Sequence, residues 1–289
     1  MKYQFMKENI NIFHLNRMSK VLEVSRSGYY AWLKRPFSKR RKDNSYLSQR
    51  IRSIYEQRKR VYGCLRITAE LRDEGFNCSK NRVARLMRKQ GLSARARKRF
   101  KVTTNSKHNL PVASNLVEMR FNARQKNSLW TTDITYIWTR EGWLYLSVIL
   151  DLWSRTVISW DADRSMDENL VIKPLEKALK DRKPNGELIL HSDRGSQYAS
   201  QRLRNILKEN NILQSMSSKG NCYDNAPTES FFSTLKRELV YRQSFKTRDE
   251  AKQNLFEYIE IFYNRQRRHS SLGYLSPMQF ENLNQKTPY

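Results

Sequence analysis

The sequence predicts an α/β fold: a mixed-sheet core over residues 127–289, preceded by an all-α region. Three observations carry this. Residues 127–160 hold three strand-like runs in succession, followed by a helix–strand–helix alternation to a short edge strand beginning at Ile212. Before residue 94 the apolar residues recur at helical spacing only. Lys plus Arg number 55 against 28 Asp plus Glu, a formal net charge of +27, with the basic runs concentrated in the all-α region.

That charge calls for a polyanionic partner, and nucleic acid is the first candidate, because neutralising phosphates releases counterions. A hydrophobic content of 38% is enough for a real core and excludes global disorder. No apolar run approaches the roughly 20 residues of a membrane span. The N-terminus MKYQFMKENINIF shows no signal-peptide apolar region. Cys64, Cys78 and Cys222 are odd in number and far apart. The histidines, His14, His108, His191 and His269, are equally scattered, so neither a disulfide framework nor a zinc cage is indicated. These features predict a reduced, cytoplasmic protein with no membrane contact.

Residues 1–36 form an N-terminal helical segment. Ser25 reads as an N-cap for a helix with Tyr29, Trp32 and Leu33 on one side. The segment reads equally as half of a helix-turn-helix or as a helical pair that only packs. Residues 37–101 form a basic helix-turn-helix region. Its first helix carries Arg40, Arg41, Lys42, Arg50, Arg52, Arg58, Lys59 and Arg60 around Ile51, Ile54 and Tyr55. A second helix follows Tyr62-Gly63, with Leu65, Ile67 and Leu71, and ends at Gly75. A third is capped by Ser79 and holds Val83, Leu86 and Met87. Helix, glycine turn, helix is the helix-turn-helix pattern. Lys80, Arg82, Arg85, Arg88 and Lys89, with no acid from 80 to 90, make the third helix the expected DNA-contacting element. Residues 102–126 read as a linker: polar, without period, either a spacer or a segment lying along phosphates. The basic run Arg95, Arg97, Lys98, Arg99 and Lys101 precedes it.

In the core, Leu129–Ile137 is a strand with Asp133 among apolar residues. Thr139-Arg140-Glu141-Gly142 is a turn, Trp143–Leu150 a central strand, and Thr156–Trp160 a third. Residues 164–186 hold a helix ending near Asp181, with Pro174 inside it or at its start. Leu188-Ile189-Leu190 is a buried strand that delivers Asp193 just past its end, where open α/β sheets place ligands. A helix with Leu203, Ile206 and Leu207 leads to an edge strand at Ile212-Leu213. Residues 215–223 read as a polar loop. Asn225 is the expected cap of a helix from about Ala226 to Leu239. This helix holds Glu229 in its first turn, and Lys236, seven residues on, lies on the same face. A last helix over about 248–264 shows Ala251, Leu255, Ile259 and Phe262 on one side. The tail from 264 reads as irregular and basic, with Arg265, Arg267, Arg268 and His269.

Asp133 in mid-strand, Asp193 at a strand end and Glu229 on a helix 35 residues later resemble the DDE core of transposases and retroviral-type integrases. The stretches WTTDITYI, HSDRGSQYAS, NCYDNAPTESFFSTLKREL and YNRQRRHSSLGYLSP are similar to the larger-frame product of insertion sequences of the IS-three type, from about residue 40 to the end. The resemblance implies an RNase H-like catalytic core. It also implies metal-dependent DNA 3′-end cleavage and strand transfer by direct transesterification, with Asp133, Asp193 and Glu229 as both catalytic and metal-binding acids. Two Mg²⁺ ions, with Mn²⁺ as substitute, are the implied cofactors; in that scheme Asp133 bridges both and the other two acids hold one each. Lys236 is expected near the phosphate at the cleavage point. His191 reads as a supporting residue, and Tyr263, Arg265, His269 and Ser270 as a buttress of the site or a DNA contact. Asp151 and Asp224 are nearby acids outside the motif positions, and Asn221 is a loop-shaping residue.

The implied partners are double-stranded DNA, both element ends and target, and further copies of the chain on that DNA. A protein from an upstream frame is also implied, since no heptad zipper is visible here. The implied location is the bacterial cytoplasm, on the nucleoid when bound to DNA. Two other readings compete: an RNase H-like nuclease without strand transfer, and a basic DNA-binding regulator with an inactive core.

Overall fold

Five helices of the described residues start where a hydroxyl accepts an otherwise orphaned backbone N–H. Ser25, Ser38, Ser79, Ser200 and Thr247 accept from the amides of Gly28, Arg41, Arg82, Leu203 and Glu250. The computed structural model describes residues 1–36, 38–94, 112–218 and 225–284. The chain forms two units, Met1–Ser93 and Ala94–Tyr289. The basic run at Arg95–Lys101 and the residues Asn221, Cys222 and Asp224 lie outside the described residues.

The first unit is all helical. Helices α1 (Lys2–Glu8), α2 (Leu15–Val21) and α3 (Arg26–Lys34) close around Met6, Met18 and Tyr29, with Tyr3 and Trp32 packed against them. Leu33, expected on the inner side, is exposed instead. Helices α4 (Lys39–Gln57), α5 (Cys64–Asp73) and α6 (Lys80–Lys89) pack as a trihelical unit through Leu47, Ile51, Ile54, Ile67, Leu71, Val83, Leu86 and Met87. Leu65 is exposed, a second departure from the expected apolar side. Gly75 (φ 84°) follows α5 in the left-handed region that glycine enters at little cost. Part of the basic character of α4 is internal: Arg58 pairs with Glu70 at 3.0 Å, Arg50 with Glu74, and Arg52 bonds Gln90.

The second unit is built on a five-stranded sheet of order β3-β2-β1-β4-β5. Strands β1 (Leu129–Thr139), β2 (Gly142–Asp151) and β3 (Thr156–Asp163) form an antiparallel meander. Strands β4 (Leu188–Ser192) and β5 (Ile212–Met216) add in parallel beside β1. This is the RNase H-like arrangement. Helix α7 (Asn169–Arg182) connects β3 to β4, and α8 (Gln201–Glu209) connects β4 to β5. Their apolar residues Val171, Ile172, Leu175, Leu203 and Leu207 share one core with Trp130, Ile149, Leu188, Leu190 and Tyr198. Pro174 lies inside α7, where it removes one N–H from the helix ladder.

Residues 112–126 are not a free spacer. The amide of Leu116 donates to Ser215 Oγ at 2.9 Å, Val117 is buried, and Lys126 pairs with Glu281 at 3.1 Å. The polar composition that suggested a linker instead provides hydrogen bonds to the edge of β5.

Helix α9 (Ala226–Glu238) lies against β1, and α10 (Arg248–Phe256) continues as a π-helical stretch over Glu257–Tyr263. The expected inner side of this last helix, Ala251, Leu255, Ile259 and Phe262, is buried. The tail is ordered rather than irregular. Asn264 pairs with the backbone of Val157 in both directions, 3.0 Å to its N–H and 2.9 Å to its C=O. Helix α11 (Pro277–Asn284) brings Glu281 against Arg182, Ser154 and Thr156 at 2.7–2.9 Å. Among the described residues, no helix is long and apolar enough to cross a membrane.

Candidate active site

The register of β1 and β4 sets the site. Thr131 pairs with His191 in the parallel ladder, so Asp133 and Asp193, each two residues further on, stand level on neighbouring strands and on one face. β4 ends at Ser192, which leaves Asp193 at the strand's carboxyl end. Its Oδ1 accepts the Gly195 amide at 2.9 Å. A Cβ at position 195 would lie 3.1 Å from that same oxygen, so glycine allows the turn to close onto the carboxylate. Asp133 Oδ1 accepts the amide of Ile134 at 2.7 Å.

Burial, then the facing Asp193 carboxylate, push the Asp133 carboxyl well above its ordinary range; Glu229 adds to the rise, while the Ile134 amide and Lys236 oppose it. Two carboxylates therefore sit together in a partly desolvated place. Glu229 is exposed in the first turn of α9, and desolvation raises its pKa. Lys236, half-buried two turns along α9, has its pKa lowered by burial, and the Asp133 charge acts in the opposite sense. Its ammonium also lies 5.0 Å from the centre of the Tyr136 ring.

The helix carrying Glu229 and Lys236 is tied to β1 by groups whose part the sequence did not announce. Thr228 Oγ1 donates to Thr131 Oγ1 at 2.8 Å, both buried. Asn225 does not cap α9; its side-chain amide donates to the Thr132 carbonyl at 3.3 Å. The cap was expected because asparagine immediately precedes the helix. The bond from its Nδ2 to β1 instead orients the side chain so that Oδ1, the atom that would cap, is buried without a hydrogen bond. Tyr198 meets Thr132 through its hydroxyl at 3.2 Å and is pushed up well above the ordinary phenol range, chiefly by burial and then by Asp133 and Asp193. Only the HSDRGSQYAS stretch hinted at it.

His191 is buried between β4 and β5, with Nδ1 2.8 Å from Ser215 Oγ and Nε2 3.4 Å from Ser217 Oγ, a supporting position. Asp151, one of the acids outside the motif, accepts the amides of Asn127 and Trp153 at 3.0 Å, away from Asp133, and burial raises its pKa to about 6. The terminal YNRQRRHSSLGY stretch braces α9. Arg267 is buried and bonds Glu238 through two nitrogens at 2.8 Å, and Tyr263 sets its ring edge-on to Phe231 at 4.8 Å. Arg267 and Arg268 are buried, so the tail's basic character is largely inward. Arg265 and Ser270 are exposed, and His269 stacks edge-on against Tyr263. In the helical unit Lys80, Arg85, Arg88 and Lys89 are exposed on α6. Arg82 is half-buried and donates to Asn44 at 2.9 Å, which sets it apart from the other four.

All three acids offer oxygen only, the donor set of a hard divalent cation such as Mg²⁺ or Mn²⁺. The clustered negative charge around a carboxyl already raised by its neighbour fits such an ion. Among the described residues, no three His, Cys, Asp or Glu side chains are drawn close enough to enclose an ion as they stand. The structure brings Asp133 and Asp193 together and sets Glu229 within electrostatic reach of them.

Residues 123–222 match the family model of an integrase core domain, residues 229–284 a second integrase core model, and residues 42–100 an HTH-like domain. The transposase InsF of insertion sequence IS3A from Escherichia coli K12 is 43% identical over 286 residues, covering 98% of this chain and 99% of that protein. An uncharacterised protein of insertion element IS600 from Shigella sonnei is 44% identical over 263 residues, 91% of this chain and 97% of that one. Among solved structures, a simian T-cell lymphotropic virus intasome aligns over 82% of this chain and 76% of its own, at 16% identity and a TM-score of 0.49.

Proposed function

Because this chain belongs to the transposase family of IS3-type insertion sequences, and is therefore a DNA-transposing enzyme of the DDE polynucleotidyl-transferase class, we propose that Asp133, Asp193 and Glu229 are its catalytic acids. The observation that carries the assignment is the level placement of Asp133 and Asp193 on β1 and β4, with the raised carboxyl of Asp133 between two further acids.

In this reading Asp133, Asp193 and Glu229 would hold Mg²⁺ or Mn²⁺, as two ions. Bound there, the metal would neutralise charge at the scissile phosphate and favour the deprotonated attacking hydroxyl. The chain's own residues do the rest. Thr228 and Asn225 fix the first turn of α9 on β1 and so fix Glu229. Lys236 holds a non-bridging phosphate oxygen beside Asp133. Water attacks the phosphodiester at the element end, the P–O3′ bond breaks and a 3′-hydroxyl leaves. That hydroxyl then attacks a second phosphodiester, forming one P–O bond as another breaks. Neither step needs a serine or tyrosine nucleophile.

Lys80, Arg85, Arg88 and Lys89 of α6 are the proposed duplex contacts of the helix-turn-helix region, with Arg82 fixing α6 against α4. The proposal extends to the segment boundaries 1–36, 37–101, 102–126 and 127–289, to further copies of the chain on the DNA, to an upstream-frame partner, and to a cytoplasmic, nucleoid-associated location.

The test is cleavage and joining of labelled DNA bearing the element's inverted-repeat end, with Mg²⁺, comparing wild type with Asp193→Asn. Wild type is expected to give a 3′ nick and a joined product, both lost in the variant. Nicking without joining would favour a nuclease. Tight binding without chemistry, even with the upstream-frame protein added, would favour a regulator.

A further inference from the structure

Two of the six tryptophans face solvent. Trp138 is 58% exposed and Trp143 43%, whereas the other four are buried or half-buried. They are cross-strand partners at the end of the β1–β2 hairpin, ring centres 4.8 Å apart and edge to face. Trp143 also meets Tyr136 edge to face at 5.0 Å, and Tyr136 carries the Lys236 ammonium over its ring. Lys236 in turn feels the charge of Asp133. A continuous row, cation then three rings, thus runs from Lys236 to the hairpin end; by strand alternation Tyr136 and Trp138 stand on the face of β1 opposite Asp133, and Lys236 spans the two. At strand spacing Trp138 lies about 17 Å from Asp133 along β1.

Exposing two indoles costs hydrophobic free energy, and a patch of this kind marks a binding surface. The hairpin is also braced. Thr139 bridges to Phe245, the Arg140 amide donates to the Phe245 carbonyl at 3.1 Å, and Arg248 donates from its backbone to Glu141 at 2.8 Å and from Nε to the Trp143 carbonyl at 3.0 Å. The rings are therefore held before any partner arrives. Arg140, Arg248 and Lys236 flank them, and Glu141 is the one acid of the turn and is engaged by the Arg248 amide. Rings flanked by cations suit a nucleic-acid strand whose bases are unpaired, because every base offers a face for stacking and the cations meet its phosphates.

We propose that Tyr136, Trp143 and Trp138 form a stacking platform for an unpaired base of the DNA engaged at the catalytic acids. The chain thereby holds open the duplex beside the phosphate it cuts. The location of the bound DNA rests on the transposase reading above; the stacking itself does not.

The experiment separates the two. The full chain is titrated in EDTA with a single-stranded oligonucleotide containing 2-aminopurine, and with a duplex of the same length. Wild type is expected to quench the 2-aminopurine on the single strand. The double variant Trp138→Leu, Trp143→Leu keeps apolar bulk but lacks ring faces. It should bind the single strand about 10-fold more weakly and the duplex within about twofold of wild type. The variant Trp138→Tyr, Trp143→Phe should keep most of the single-strand affinity and the quenching. The platform is overturned if the leucine pair binds the single strand as wild type does. It is equally overturned if single strand and duplex weaken alike, or if only the sedimentation behaviour changes, which would mark a contact between copies. Single-strand stacking in a chain that cuts no element end would sink the transposase site and leave the platform standing.

Discussion

Two buried acids of the same unit live in opposite surroundings. Glu281 meets Arg182 through two bonds of 2.8 Å, Lys126 at 3.1 Å and the hydroxyls of Ser154 and Thr156, and these partners hold its carboxyl down at about 2 despite its burial. Asp133 is held well above its ordinary range by burial and by Asp193 and Glu229, with only the Ile134 amide and Lys236 in opposition. One carboxylate is compensated by the protein and fastens α11 to the core. The other is left for something the protein does not itself supply. The scaffold acid and the proposed catalytic acid differ here in who neutralises them.

The largest expected effects break each side of this contrast. Asp133→Asn should lower strand cleavage by at least about a hundredfold, yet leave the fold intact or more stable, because it removes a repulsion. Glu281→Gln should do the reverse: it strands Arg182 in a buried place and costs about 3–5 kcal/mol of stability. A thermal melt reads the stability and an end-cleavage assay at permissive temperature reads the activity. Equal stability losses in the two variants would erase the distinction.

The pH dependence sharpens it, since the two signs differ. The Glu281 carboxyl is depressed, so its contribution is present above the unfolded value of about 4.3 and is lost as pH falls towards about 2. The Asp133 carboxyl is raised, so it imposes no penalty at low pH and destabilises increasingly as pH rises through its folded value. Without metal, Asp133→Asn should therefore exceed wild type in stability at pH 8 and match it near pH 4, as read by denaturant unfolding at both pH values.

Smaller effects concern the helix between these regions. Lys236→Gln should reduce cleavage about tenfold or more with little loss of stability, which a rate measurement and a melt would separate. Thr228→Val removes the hydroxyl pair with Thr131 and should cost about 1 kcal/mol, with a modest fall in rate as Glu229 loosens.

Most of the architecture was legible because its signals are local. The three-strand run around Asp133, the strand ending before Asp193 and the serine caps before α3 and α6 each depend on neighbours in sequence. The candidate acids were legible from motifs. What was hidden depends on partners far along the chain. Asn225 turns to β1 rather than capping α9, residues 114–117 dock beside β5, and Arg267 turns inward to Glu238 because an acid 29 residues away receives it. Arg82 likewise spends its guanidinium on Asn44 of α4. No period or charge run distinguishes an arginine that faces a phosphate from one that faces a distant carboxylate.

The most direct measurement is the melting temperature in EDTA and then in excess Mg²⁺ or Mn²⁺, for wild type and Asp133→Asn. An ion that binds the folded chain alone stabilises it by about 2.7 kcal/mol at a hundred times its Kd. The wild type should therefore melt several degrees higher with metal, and the variant should not. Equal shifts in both proteins, or none in either, would contradict the claim that these acids await a cation.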